Sequence, residues 1–183
     1  MKAIHFTPFQ YISTFILLLM MTNTVAVELP PMSHQLSSVE ELFPAPPMDL
    51  SNTIDQRVNL SDLMGQVVVL NFWASWCLPC RREMASLEQL HRLTGESNIK
   101  VITVNLGEAK DTVIDFVDSI EPAPTFPVLL DANSSSAASW NVKGLPTTYI
   151  LSEQGRIVFK ALGGRDFEHP DMIQKIRQLS SVN

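Results

Sequence analysis

The stretch that most restricts the fold runs from Val67 to Gly95. Val67-Val68-Val69-Leu70 is an unbroken apolar run with apolar flanks, the pattern of a central parallel strand covered on both faces. It leads through Asn71-Phe72-Trp73-Ala74-Ser75-Trp76 into Cys77-Leu78-Pro79-Cys80. A helical pattern follows over Arg81 to Leu93, where Met84, Leu87, Leu90 and Leu93 recur at helical spacing and Gly95 is the stop. Cys77 and Cys80 are the only cysteines in the chain. Two cysteines two residues apart close a disulfide at little backbone cost when the first sits at a helix N-terminus, where free backbone N–H groups stabilise a thiolate. A reversible dithiol is therefore the first hypothesis for function.

The remainder alternates strand and helix. Short strands are expected at Met48 to Leu50 and Arg57 to Leu60 around a polar turn, with Ser61 capping a brief helix that Gly65 ends. Ile99 to Val104 reads as a strand. Asp111 to Ser119 reads as a helix whose Val113, Ile114, Phe116 and Val117 pack inward. In Phe126 to Leu130, Pro127 places a further strand's start or an edge, and Ser134 to Trp140 is a short polar helix. Thr147 to Leu151 and Arg156 to Ala161 flank Ser152-Glu153-Gln154-Gly155, the strongest hairpin signal in the chain. Pro170 to Leu179 is the last helix. This order implies an α/β domain with a mixed central sheet flanked by helices, an N-terminal hairpin and a central strand-helix insertion.

Outside that domain, Met1 to Pro8 carries one lysine and no acid, and Tyr11 to Met21 is almost wholly apolar. Thr24-Val25-Ala26 fits a signal-peptidase site, so residues 1–26 are expected to be a signal peptide or a retained membrane anchor. Residues 27–42 read as an extended linker, within a Pro- and Ser-rich stretch that reaches Pro47, and residues 43–183 as the domain. Either state of the leader puts the dithiol outside the cytoplasm, in the periplasm or on the outer face of the cytoplasmic membrane, where disulfides persist. The formal charge of −6 in the full chain gives no basic patch for nucleic acid or anionic lipid. A single cysteine pair cannot staple a small secreted scaffold, so the core must carry stability.

The expected division of labour has Cys77 exposed at the helix N-terminus as the attacking sulfur and Cys80 one turn inside as the resolving one. Leu78-Pro79 supplies no charge to hold a thiolate, which argues for a moderately reducing couple. Zinc is disfavoured, because neither His91 nor His169 stands at ligand spacing to the pair. Phe72 and Trp73 read as core, and Trp76 as a contact beside the thiol. Arg81 and Arg82 follow in the first turns. Asn71, an amide, can bond to neighbours but cannot move protons. Glu108, after Asn105-Leu106-Gly107 at the end of a strand, is the acid candidate. In Gly144-Leu145-Pro146-Thr147-Thr148, a tight turn before a strand would leave the Leu145 backbone free to pair with an incoming peptide.

Taken together, Ala45-Pro46-Pro47-Met48-Asp49-Leu50, the run from Val69 to Glu83, Val104 to Glu108 and Gly144 to Ile150 resemble the thioredoxin superfamily, and within it the exported TlpA/ResA-like thiol-disulfide oxidoreductases. The similarity covers roughly Phe43 through Val182. It implies a thioredoxin-like fold, Cys77 as nucleophile, Cys80 as resolving cysteine, Pro146 as the facing cis-proline and Glu108 as the family's active-site acid. Trp76, Leu78, Pro79 and Leu145 would then border the substrate. No cofactor beyond the redox-active disulfide is implied. The family commonly reduces exported cysteine-containing proteins, apocytochrome c among them, with electrons from a membrane thiol reductase. Ala85 stands where the family often has proline, which implies a straighter active-site helix. Two other readings fit the same motif: a net dithiol oxidase, and a binding or metallochaperone module that uses the groove without turnover.

Overall fold

The computed structural model describes residues 30–181. One compact unit spans Met32–Asn183 and a second Met1–Pro31, which lies almost wholly outside the described residues. The expected leader falls outside them too. Among the described residues no helix is long and apolar enough to cross a membrane.

Eight strands form one mixed sheet: β1 (Ser37–Ser38), β2 (Asp49–Asn52), β3 (Arg57–Asn59), β4 (Val67–Trp73), β5 (Ile99–Leu106), β6 (Val128–Asp131), β7 (Thr147–Leu151) and β8 (Ile157–Leu162), in the spatial order β1-β8-β7-β4-β5-β6-β2-β3. The helices are α1 (Leu78–Thr94), α2 (Lys110–Asp118), α3 (Ser135–Ser139) and α4 (Pro170–Arg177). This is the expected thioredoxin-like mixed sheet. β4 lies inside it, parallel to β5 and antiparallel to β7, and every one of its residues is buried.

Because side chains alternate along a strand, β4 feeds two cores. Val67, Val69 and Trp73 join α1, α2 and α4 residues such as Leu87, Phe116 and Ile176 on one face. Val68, Leu70 and Phe72 meet Trp140, Tyr149 and Met48 on the other. The same alternation turns Asn71 to the α1 face, a polar residue in the middle of an apolar layer. The second core closes on an aromatic cluster, with Trp140 and Tyr149 centroids 5.4 Å apart and the Tyr149 hydroxyl donating to the Trp140 carbonyl.

Several local expectations are revised. The brief helix after the first hairpin is a 3-10 turn, Leu60–Leu63, and its cap is Asn59, whose side chain accepts from the Ser61 N–H at 3.0 Å. Leu93 is exposed at 44 %, whereas Glu83, Glu88 and Thr94 of α1 are buried. Glu88 is held there by three donors: the Thr125 N–H at 2.7 Å, the Thr125 hydroxyl and the Arg92 guanidinium. Helix α1 runs unbroken through Ala85, as a residue with its own N–H allows. Pro127 stands just before β6, which lies inside the sheet between β5 and β2.

The linker expectation changes from Met32 onward. Extended Pro- and Ser-rich chain has no internal hydrogen bonds of its own, so it can add to an open sheet edge. Ser37 and Ser38 pair with Lys160 and Phe159 of β8, Ser33 bridges to Arg165, and Leu36 is buried in the α1-side core.

Candidate active site

β4 ends at Trp73 and α1 begins at Leu78, so the four residues between them form the connection into the site. Cys77 is the N-cap of α1 and forms a disulfide with Cys80, the Cα atoms 5.3 Å apart. The Cys80 N–H donates to Cys77 Sγ at 3.3 Å. On reduction the same donor faces a thiolate, which a helix N-terminus stabilises. Cys77 is not exposed as expected: it is 5 % accessible and Cys80 0 %. The capping contact turns its sulfur inward over the first helical turn. Trp76 and Leu78 on either side are 73 % and 59 % exposed, so an apolar rim surrounds a recessed sulfur.

Pro146 arrives at the same end of the sheet, because Thr147 pairs with Phe72 near the close of β4. The Leu145–Pro146 peptide is cis and Pro146 is buried. The loop after β8 joins the two parts. The Gly163 N–H donates to the Pro146 carbonyl at 2.8 Å, and Gly164 lies against Pro79 so closely that a Cβ there would stand 3.3 Å from the Pro79 carbonyl oxygen. Beside this junction Trp76, Leu106, Val142, Gly144 and Leu145 line a groove of about 420 Å³. Of the expected contact residues, the structure places Trp76 and Leu145 in the groove, and Leu78 and Pro79 on the exposed first turn of α1.

Glu108, the expected acid, is tied to the loop that leads into Cys77. Its carboxylate accepts from the Ser75 N–H at 2.7 Å, from the Ser75 hydroxyl and from the Asn105 amide at 2.6 Å. These contacts lock the loop that delivers Cys77. Glu108→Ala is expected to leave the Ser75 donors unpaired and to lower stability by about 1–2 kcal/mol, measured by urea unfolding of the oxidised protein; an unchanged midpoint would refute the clamp.

The buried acid nearest in sequence to the dithiol is Glu83, which the sequence reading quoted within a motif without giving it a role. It lies one turn beyond Cys80 on the buried face of α1, at the i, i+3 spacing that makes helix neighbours. Its accessibility is 0 %. One carboxylate oxygen accepts from the Asn71 amide at 2.8 Å and the other from the Arg165 N–H at 3.0 Å. Asn71 also donates to the Thr148 hydroxyl at 2.9 Å, its partner across the β4–β7 register. Burial pushes the Glu83 carboxyl up from 4.5 to about 8, against the opposing pull of the Arg165 N–H, the Asn71 amide and the Arg165 charge. Asn71 Oδ1 has no partner among the described residues. The amide therefore offers a donor to ionised Glu83 and, turned over, an acceptor to its protonated form. The sequence carries a partial signal, since Glu83 falls on the helical stripe of Cys80, Met84, Leu87 and Leu90, but the partners that allow its burial come from elsewhere in the fold.

His169 and His91 stand apart from the dithiol. His169 caps α4 and stacks on His34 with centroids 3.8 Å apart, and His91 meets Phe126 edge to face.

With this geometry, comparison with known proteins is direct. Residues 43–160 match the AhpC/TSA family model. The chain is 35 % identical over 121 residues to thiol-disulfide oxidoreductase ResA of Bacillus subtilis, covering 66 % of each chain. It is 38 % identical over 122 residues to the thioredoxin-like protein YneN of the same organism, covering 65 % of this chain and 69 % of that one. The chain is a TlpA/ResA-like thiol-disulfide oxidoreductase of the thioredoxin superfamily. Among solved structures, a DsbF homologue from Corynebacterium diphtheriae superposes with a TM-score of 0.67 at 28 % identity, covering 79 % of this chain and 92 % of that one. A secreted thiol-disulfide isomerase from Corynebacterium glutamicum gives 0.68 at 26 % identity, covering 83 % and 95 %. The functional group of this TlpA/ResA-like enzyme is the Cys77–Cys80 disulfide.

Proposed function

We propose that the enzyme reduces disulfides of exported proteins, with Cys77 as the attacking sulfur, Cys80 as the resolving sulfur and Glu83 as the proton carrier. The observation that carries this reading is a buried carboxyl poised near 8, one helical turn from the resolving cysteine and close to the ordinary range of a thiol. The Cys77 thiolate attacks one sulfur of the client disulfide, forming a mixed disulfide and releasing the other sulfur as a thiolate. Glu83 takes the proton of the Cys80 thiol. The Cys80 thiolate then attacks Cys77 Sγ, closing the Cys77–Cys80 bond and freeing the second client thiolate. Two electrons pass from the dithiol to the client, and a dithiol donor must restore them.

The groove beside Trp76 and Leu145 takes the client backbone, with Leu78 and Pro79 forming the far rim. The reaction belongs outside the cytoplasm, where client disulfides form. Clients of this chemistry are extended, cysteine-bearing segments such as apocytochrome c before haem attachment, and the electron source is a membrane thiol reductase. The test is the reduction potential, obtained by equilibration against glutathione, together with the redox state of the pair in cells. A reductase is expected to lie below about −200 mV and to be held largely reduced; a couple near the −120 mV of a strong oxidant would assign net oxidation instead.

A further inference from the structure

We propose that Arg165 is a positioning residue for the exchange reaction: it ties the N-terminal arm to the loop after β8 and so fixes the backbone N–H that holds Glu83 under the dithiol. The inference rests on the assignment of Glu83 as proton carrier. Its basis is a set of contacts that converge on residues 163–166. The Arg165 guanidinium donates to the carbonyls of Gly163 and Gly164 at 2.9 and 3.0 Å, folding the loop on itself. Its Nε donates to the Gln35 carbonyl of the arm at 2.7 Å. The arm answers with the Ser33 carbonyl, which accepts from the Asp166 N–H at 2.8 Å.

The other side of the loop faces α1. The Arg165 N–H donates to Glu83, and the Ser86 hydroxyl accepts from the Phe167 N–H at 3.2 Å. Gly164 is held between the two: a Cβ there would stand 3.3 Å from the Pro79 carbonyl and 3.4 Å from Met32 Sδ. A side chain there would press on both neighbours, so the arm, the loop and the first turn of α1 are packed against one another at Gly164. Leu36, buried in the α1-side core, anchors the arm in it. A shift of the arm therefore moves the loop, and with it one of the two donors that favour ionised Glu83.

The groups facing Glu83 are few. β4 and β7 bring Asn71 and Thr148, which do not titrate; α1 brings Cys80; and the loop brings Arg165, the cation that, among the described residues, acts on Glu83 through its charge. Both effects of Arg165, the N–H bond and the charge, lower the Glu83 value. Loosening either raises it.

The experiment is a pH profile of the resolving step, followed in single turnover with a model mixed disulfide on Cys77, in the full chain and four variants. Glu83→Gln removes the Glu83-linked midpoint if the carrier assignment is correct. Arg165→Gln, which loses the charge, and Leu36→Ser, which loosens the arm while keeping Arg165, are each expected to move that midpoint upward by about half a pH unit or more. Arg165→Lys keeps a charge but not the three-way fork and is expected to move it less. If Glu83→Gln removes the midpoint while Arg165→Gln, Arg165→Lys and Leu36→Ser all leave it in place, the positioning role is refuted and the Glu83 assignment stands. If Glu83→Gln leaves the profile unchanged, the assignment fails and the proposal with it. Circular dichroism of each oxidised variant establishes that it is folded, and Arg165→Lys and Leu36→Ser keep the test decisive should Arg165→Gln not fold.

Discussion

Replacing Cys77 by Ser is expected to abolish disulfide exchange, lowering turnover by about a thousandfold or more, the scale on which removal of a covalent nucleophile acts. A hydroxyl in that position still accepts from the Cys80 N–H as an N-cap, so α1 should start where it does now. The loss should be chemical and not structural. Replacing Cys80 by Ala should behave differently. Cys77 then attacks but nothing resolves the product, so covalent mixed disulfides with client proteins accumulate and can be read by non-reducing electrophoresis and mass spectrometry. The recessed Cys77 and the exposed Trp76 and Leu78 imply that captured clients present an extended segment able to enter the rim. Residual turnover in Cys77→Ser close to the parent rate would overturn the assignment of the nucleophile.

Replacing Glu83 by Gln carries the second large effect. General acid–base groups contribute about 10²–10⁴-fold, so the resolving step should slow by about a hundredfold and lose its dependence on a group near pH 8. Stability should change as well, and its sign follows from linkage. A carboxyl that ionises at 4.5 in the unfolded chain and at about 8 in the folded one leaves the native state holding an extra proton between those values. The stability associated with neutral Glu83 is fully present below pH 4.5, declines as the unfolded chain ionises, and is lost as pH rises through 8. At full ionisation the loss is on the order of 5 kcal/mol. Glu83→Gln should therefore flatten the fall in unfolding free energy between about pH 5 and pH 9, measured by urea titration. A slope unchanged from the parent would place the titrating group elsewhere.

The elements nearest in sequence were the most legible. An apolar run ending in Cys-x-x-Cys before a helical stripe specifies strand, turn and helix, because each is set by local periodicity and by one helix terminus. The closing hairpin was equally plain, since Ser152 to Gly155 is turn chemistry between two alternating runs, and Gly155 adopts a φ of 67° there. The acid was not. Glu108 stood out because it follows the end of a strand, where sites gather, and in the fold its carboxylate accepts from Ser75 and Asn105. Glu83 looked like one charge among the polar residues of α1. Its burial depends on Asn71 and on the Arg165 N–H, which stand 12 residues before it and 82 after it.

The arm shows the same limit from the opposite direction. Composition marks residues 27–42 as an extended linker, but whether such a segment hangs in solvent or pairs with an edge depends on which edge is open. β8 is open, and Leu36 finds a place in the core. By itself, then, the sequence determined the dithiol, its seat at the start of α1 and the strand-helix alternation that makes the sheet, because these follow from spacing and helix-end chemistry within a few residues. Only the tertiary structure decided which carboxyl is desolvated beside the pair, which loop joins Pro146 to Pro79 and where the arm lies. Those outcomes depend on the sheet order and on the alternating side-chain directions of β4, which bring distant residues onto one buried face and remove their polar groups from water.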